Sequence, residues 1–414
     1  MIGRNRVVIT GVGVLAANGI GKDAFWSSLL AGESGIGPIT LFDTTDFKSR
    51  IAGEVSDFEP VNYMDGRIKA KRLSRNVQFG VKAAMMAIHD AALTHSHLKH
   101  SAPIPITIGI SLGGFDHIEN QIRRVVAMGP NKLVPHAVEG CIHLAAASLI
   151  GAILEVETEL CTISNSCVGG LDAIAHGARL IQSGKADICI CGATEAPIVP
   201  SAMAGFCAAG MVSTNNADPQ HASRPFDLTR DGGVLAEGSG MVVLESLAHA
   251  RLRNARIYGE ILGYGTARDV NHLRSGNGLA LSMRKALENS AIHHDEISAV
   301  FAHGPSDQIL DISESLFLVD VLGDIARYIP VTSIKGVTGN PLAAGGAHQV
   351  IAGLLALESQ TVPPTANLVT QDPECELDYV PDGPRKSVLD KILINSHGSG
   401  AMNSSIIIGD FESP

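Results

Sequence analysis

No stretch of the chain holds eighteen consecutive apolar residues, so no membrane-spanning helix is expected. The opening run MIGRNRVVITGVG has a short basic start but no apolar h-region or cleavage site, which makes it a poor signal peptide. The seven cysteines (141, 161, 167, 189, 191, 207 and 375) are odd in number and contain no CxxC pair. That argues against a disulfide framework or a zinc site, and no metal is expected. A reducing cytoplasm fits these absences. Positive charge is not in surplus either: 31 basic against 42 acidic residues leave a net charge of −11, which argues against nucleic acid as a partner. Linkers rich in Ser, Gly or Pro are missing, so 414 residues imply one large domain or two closely packed halves.

What is present is an alternation of strand-like and helix-like runs, with 45% hydrophobic residues and 44 glycines. RVVITGVG, PITIGIS, ELCTIS, ADICICGA, GSGMVVLES, RIYGEILGYGTA, ISAVFAHG, IPVTSIKG, KILINSHG and NSSIIIGD read as strands. Helical spacing predicts helices near 22–31, 141–153, 279–291 and 343–358, and another after Cys167. Near-continuous apolar strands predict an α/β fold whose sheets are covered on both faces. Cys189 and Cys191 share one face of a strand and read as core. A soft boundary falls near 246–256, and ICICGATEA and ILINSHGSGAMN echo one another, too faintly to establish a duplication. GVGVLA at 11–16 fits a loose dinucleotide fingerprint through Gly11, Gly13 and Ala16, but the following LAANGIG makes it a tight turn and not a cofactor loop. Arg67, Lys69, Lys71, Arg72 and Arg75 cluster ahead of an amphipathic helix. Such a run is either a solvated helix start or a patch for an acidic partner.

The chemistry gathers at strand ends. In TISNSCVGGLD, Cys167 sits between a strand and a helix that Gly184 should close. There the helix field favours thiolate, although an unpaired cysteine can equally be a small buried apolar residue. VFAHGPSD presents His303, TSIKGVTGN presents Lys335 and Asn340, and INSHGSG presents His397 in a glycine-rich loop. Together they supply a nucleophile, an imidazole, a cation and backbone N–H groups, the parts of a thioester acyl-transfer site.

With these motifs in family order, the sequence resembles the β-ketoacyl-acyl carrier protein synthases, nearest the elongating synthase II branch. The most specific stretch is RPFDLTRDGGVLAEGSGMVVLE at 224–245. The resemblance implies a thiolase fold, two similar halves in αβαβα layers: 1–250 carrying Cys167, and 251–414 carrying His303, Lys335 and Asn340. It implies acyl transfer from acyl carrier protein to Cys167, then condensation with malonyl-carrier protein and loss of carbon dioxide. No cofactor is implied beyond the carrier's phosphopantetheine. Cys167 and the loop His397, Gly398, Ser399 and Gly400 would form the oxyanion hole and gate, and Lys71 and Arg72 would dock the carrier. The dimer partner would be an identical chain or a related ketosynthase subunit.

This chain departs from the family pattern at several points. Asn340 replaces the second histidine, and Pro305 and Asp307 replace two pantetheine-binding threonines. Gln349 replaces a glutamate, while His397 and Ser399 replace phenylalanines. A non-condensing acyltransferase and a chain-length-factor-like partner subunit are therefore the competing readings. Retention of Cys167 argues against the latter.

Overall fold

The computed structural model describes residues 5–61, 66–269 and 277–411. Ten strands carry the architecture. The first five are β1 (Val7–Ala16), β2 (Ile104–Ile110), β3 (Thr158–Ser164), β4 (Ile188–Glu195) and β5 (Gly238–Ser246). The second five are β6 (Gly259–Arg268), β7 (Ala299–Phe301), β8 (Val331–Thr332), β9 (Lys391–Gly398) and β10 (Met402–Gly409). They join in the order β8-β7-β9-β10-β6-β1-β5-β4-β2-β3, with the short strand Gly19–Ile20 paired off β1. Read outward from the β6–β1 joint, each half places its first, fifth, fourth, second and third strand in turn. The two halves repeat one topology. The echoing segments ICICGATEA and ILINSHGSGAMN fall on the fourth strand of each.

Eight helices complete the layers. They are α1 (Lys22–Ala31), α2 (Arg75–Asp90), α3 (Phe115–Met128), α4 (Ala145–Leu154), α5 (Gly169–Gln182), α6 (Gly278–Ser290), α7 (Leu310–Leu322) and α8 (Ala344–Ser359). α5 and α8 pack on each other and on strands of both halves, while α2 with α4 and α6 with α7 cover the outer faces. The result is an αβαβα stack of thiolase type. Strand alternation explains it: Ile392 and Ile394 of β9 enter the central core and Leu393 the outer one, as Cys189 and Cys191 oppose Ile188 and Ile190 in β4. Both cysteines are fully buried core residues.

Gly184 ends α5 as its spacing predicts, with φ of +71° and its N–H donating to the Ile181 carbonyl at 2.9 Å. Several expectations change. β3 is not a buried strand: it is a half-exposed edge, parallel to β2 and unpaired on its other side among the described residues. The helix expected near 141–153 begins at Ala145, after a short turn of helix at Ala137–Cys141. Lys335 opens a short helix, Lys335–Thr338, where a strand had been expected to continue.

The largest difference is at GVGVLA. Gly11 and Gly13 are not in a turn but inside β1, where α2 lies directly on the strand. A Cβ on Gly13 would sit 2.0 Å from the Ala83 carbonyl oxygen, and one on Gly11 would sit 2.2 Å from that of Ala87. These glycines permit backbone approach and cradle no phosphate. Gly13→Val should therefore cost about 1–3 kcal/mol or more through overpacking. A lowered denaturation midpoint checks it, and an unchanged one would contradict the close approach.

Candidate active site

Two strand ends and two helix starts meet at one cavity of about 210 Å³. Its walls bring together Cys167, His303, Pro305, Asp307, Asn340, His397, Ser399 and Gly400, eight residues singled out from the sequence. Met211, Gly233 and Leu310 also line it and carried no signal of their own. Lys335 is buried behind His303, and Gly398 lies against the nucleophile turn, where a Cβ would be 3.2 Å from the Cys167 nitrogen.

Cys167 occupies a single 3₁₀ turn, Ser166–Val168, between β3 and α5, with Ser166 held at φ of +54°. The turn aims the sulfur at the cavity from the start of α5. Burial pushes the Cys167 thiol above its ordinary value, and the buried Glu195 carboxyl adds to this. The Ser166 hydroxyl (3.9 Å from Sγ), the Lys335 charge and the Ser399 backbone N–H pull the other way. The helix field had favoured thiolate, and the net upward shift is a correction caused by burial, the other property the sequence had left open. The Ser396 hydroxyl donates to the Cys167 carbonyl at 3.1 Å, fixing the loop to the nucleophile turn.

His303 follows β7 and is held from two sides. Its backbone N–H donates to Glu314 Oε1 and that of Gly304 to Oε2, both at 2.9 Å. Lys335 Nζ donates to the His303 carbonyl and lies 3.4 Å from its Nδ1. Burial, then Lys335, then His397 hold the His303 pKa well below its ordinary value, so the imidazole is neutral. Lys335 itself is drawn down to about 8 by burial, against the opposing carboxyls of Glu314 and Asp311. Below that value it is an ammonium, which donates to His303 Nδ1 and leaves the ring proton on Nε2.

Asn340 is fixed by its backbone: its N–H donates to the Val234 carbonyl at 2.7 Å, and Ala236 N–H donates to its carbonyl at 3.0 Å. Its Oδ1 is buried and accepts no hydrogen bond among the described residues. Asp307 sits just ahead of α7. One oxygen caps α7, accepting the N–H groups of Ile309 at 2.9 Å and Leu310 at 3.0 Å. The RPFDLTRDGG segment supplies the scaffold. Buried Arg230 binds the carbonyls of Asp307 at 3.2 Å and Gln308 at 3.0 Å, and pairs with Asp372 at 2.7 Å. Arg230, Asp311 and Glu314 were missed as individuals; Arg230 lies within the 224–245 stretch, and Asp311 and Glu314 carried no signal of their own.

Away from the cavity, Lys71 and Arg72 stand exposed on the turn Ala70–Arg72, with Arg67 and Lys69 exposed beside them. Arg75 leaves that patch. Its guanidinium pairs with buried Glu237 at 2.6 Å and lies 4.7 Å over the Phe79 ring. Among the described residues no group of three His, Cys, Asp or Glu is placed to hold a metal, and no helix is long and apolar enough to cross a membrane.

Residues 4–250 match the family model described as beta-ketoacyl synthase, N-terminal domain, and residues 258–369 match the C-terminal domain model. The chain is 38% identical over 414 residues to 3-oxoacyl-[acyl-carrier-protein] synthase 2 of Synechocystis, covering 99% of both. It is also 38% identical over 413 residues to the tetracenomycin polyketide synthase ketoacyl synthase alpha subunit of Streptomyces glaucescens, covering 97% of this chain and 96% of that one. Among solved structures, a type II polyketide synthase acyl-carrier protein in complex with its ketosynthase bound to the hexaketide matches with TM-score 0.91 and 32% identity, over 99% of this chain and 100% of that one. The ishigamide ketosynthase/chain length factor matches with TM-score 0.92 and 33% identity over the same shares.

The raised Cys167 thiol makes a prediction about its reactivity. Its alkylation by iodoacetamide should keep accelerating with pH beyond the ordinary thiol range. A profile that levels off below the ordinary thiol range would contradict the net upward shift that burial imposes.

Proposed function

The chain belongs to the beta-ketoacyl synthase family, and from that premise we propose how its residues divide the work of a condensing acyltransferase of fatty acid or type II polyketide synthesis. The observation that carries the reading is one cavity lined by Cys167, His303, Asn340 and the 397–400 loop. Residues 1–250 form the half bearing the nucleophile, and 251–414 the half bearing His303, Lys335 and Asn340. Cys167 Sγ attacks the thioester of an acyl carrier protein; the S–C bond forms and the pantetheine thiol leaves. The N–H groups of Cys167 and of the loop Gly398–Ser399–Gly400 stabilise the oxyanion. Malonyl-carrier protein then loses carbon dioxide. His303, neutral and protonated on Nε2, and the Asn340 amide hold the enolate oxygen while its carbon displaces Cys167. Lys335 positions His303. Pro305 and Asp307 line the pantetheine entry. The substrate arrives on its carrier's phosphopantetheine, and the reaction as written needs no resident cofactor.

Asn340 can donate but cannot titrate near neutral pH, which suits the retained decarboxylation role better than proton transfer. The carrier docks through Lys71 and Arg72, whose exposed charges complement an acidic surface. A second ketosynthase chain, identical or related, covers the open edge of β3 and the apolar side chains of Ile122, Val126 and Met128 on α3, each more than half exposed.

Incubation with an acyl thioester should add one acyl mass to the peptide containing SNSCVGG and to no other cysteine. Cys167→Ala should abolish it; loading that survives would move the nucleophile elsewhere. Asn340→Ala should slow condensation by about 10²- to 10³-fold, roughly 2.7–4 kcal/mol, while sparing acylation. If wild type loads but never decarboxylates malonyl-carrier protein, a non-condensing acyltransferase takes the reading's place.

Carrier binding should weaken with salt, since exposed charges are screened over about 8 Å at physiological ionic strength. Reversing Lys71 and Arg72 to glutamate should slow association by about tenfold or more at low salt. Stopped-flow rates that match wild type would put docking on another surface.

A further inference from the structure

His397, next to last in β9, stands in the cavity with the opposite hydrogen-bond polarity to His303. Its Nδ1 lies 2.7 Å from Asn403 Oδ1. The Asn403 amide is oriented by its NH₂, which donates to Asp269 Oδ1 at 3.1 Å and to the Ala401 carbonyl at 3.2 Å. Its oxygen therefore faces His397 and must accept, which fixes the His397 proton on Nδ1. Nε2 then carries a lone pair. His303 is the reverse, with Nδ1 turned to Lys335 and the proton on Nε2. The two rings are 6.1 Å apart at an angle of 60°, on the walls of the same cavity as Cys167. One imidazole offers a donor and the other an acceptor.

We propose that His397 is the proton acceptor for Cys167 during acyl loading, a role that rests on Cys167 being the nucleophile. As Sγ bonds to the thioester carbonyl carbon, its proton passes to His397 Nε2. As the carbon–sulfur bond to pantetheine breaks, the same proton passes to the departing thiolate, and the thiol leaves neutral. Protons and electrons balance with no further reactant. The role answers a need of this site, because a fully buried thiol must lose its proton and Lys335, already an ammonium, cannot take it. Asn403 and Asp269 are positioning residues for the ring.

The test separates loading from decarboxylation. Rapid-quench mass spectrometry follows acylation of Cys167 by an acyl thioester, and carbon dioxide release from malonyl-carrier protein is followed on enzyme acylated beforehand. In His397→Ala the ratio of the first rate to the second should fall by about 10²-fold or more, the usual contribution of a general base. Added imidazole should restore part of that ratio. His397→Gln, whose NH₂ can keep the Asn403 contact but whose amide does not take a proton, should show the same fall. An unchanged ratio, or a fall that imidazole does not relieve in His397→Ala and that His397→Gln lacks, overturns the role and leaves His397 a shape-filling residue. Wild type that fails to load Cys167 at all would instead overturn the nucleophile assignment.

Discussion

Two helices cross with almost no side chain between them, and the position of every reactive group follows from that crossing. A Cβ on Gly170 of α5 would lie 2.3 Å from the Ala343 carbonyl oxygen, and one on Gly346 of α8 would lie 2.9 Å from Leu171 Cγ. A Cβ on Gly177 would lie 2.8 Å from Cys189 Sγ, and one on Gly240 of β5 the same distance from Ala347 Cβ. Small residues let α5 and α8 share one layer between the two sheets. Because the halves repeat one topology, the two helices are equivalent elements, and the segments that lead into them carry Cys167 and Asn340. The site lies where those segments meet, at the ends of β7 and β9. An alanine- and glycine-rich interior is thus a requirement of the site's geometry as well as a packing choice.

That constraint also decides what was legible in the sequence. Strand periods were readable because most strands are buried on both faces, as Ile392 and Ile394 against Leu393 illustrate. Motifs carrying His303, Lys335, Asn340 and His397 were readable because each couples a reactive side chain to a neighbouring glycine. What was not readable depended on contacts far away in sequence. ELCTIS has the composition of a core strand, and only the sheet order makes β3 an edge. GVGVLA has the spacing of a turn, and only α2 lying on β1 explains its glycines. Arg75 looks like its basic neighbours until Glu237, 162 residues away in sequence, pairs with it. The Cys167 thiol obeys burial more than the helix field for the same reason: burial is a property of the whole fold.

The buried charges form a scaffold that holds loops and leaves the reacting atoms to neutral groups. Glu314 clamps the His303–Gly304 backbone and also accepts from Asn395 Nδ2 at 3.1 Å, tying the end of β7 to β9. Arg230 does similar work for the loop at 307–308. Gln349 shares its amide protons among the carbonyls of Phe301 at 3.2 Å, Ala302 at 2.7 Å and Asn395 at 3.1 Å. An ionised glutamate there would face three carbonyl oxygens with no proton to offer, so in this chain the amide joins the two strand ends directly.

The substitutions around the centre are consistent with one electrostatic requirement. Lys335 keeps its charge only against burial, helped by Glu314 and Asp311, and its pKa is already drawn down to about 8. Burial first, and the Lys335 charge after it, hold His303 neutral, and a further cation in the cavity would compete with Lys335. A histidine at 340 would meet the same ammonium, and it would offer a hydrogen bond only in one tautomer. Asn340 offers a donor with no charge to bury and no tautomer to select. Gln349 makes the same exchange on the far side, giving up a carboxyl that would need a proton or a cation of its own. The imidazole at 397 is half-buried and anchored to Asn403. Buried His303 is left a neutral donor, and the group proposed to take up a proton is the less buried imidazole.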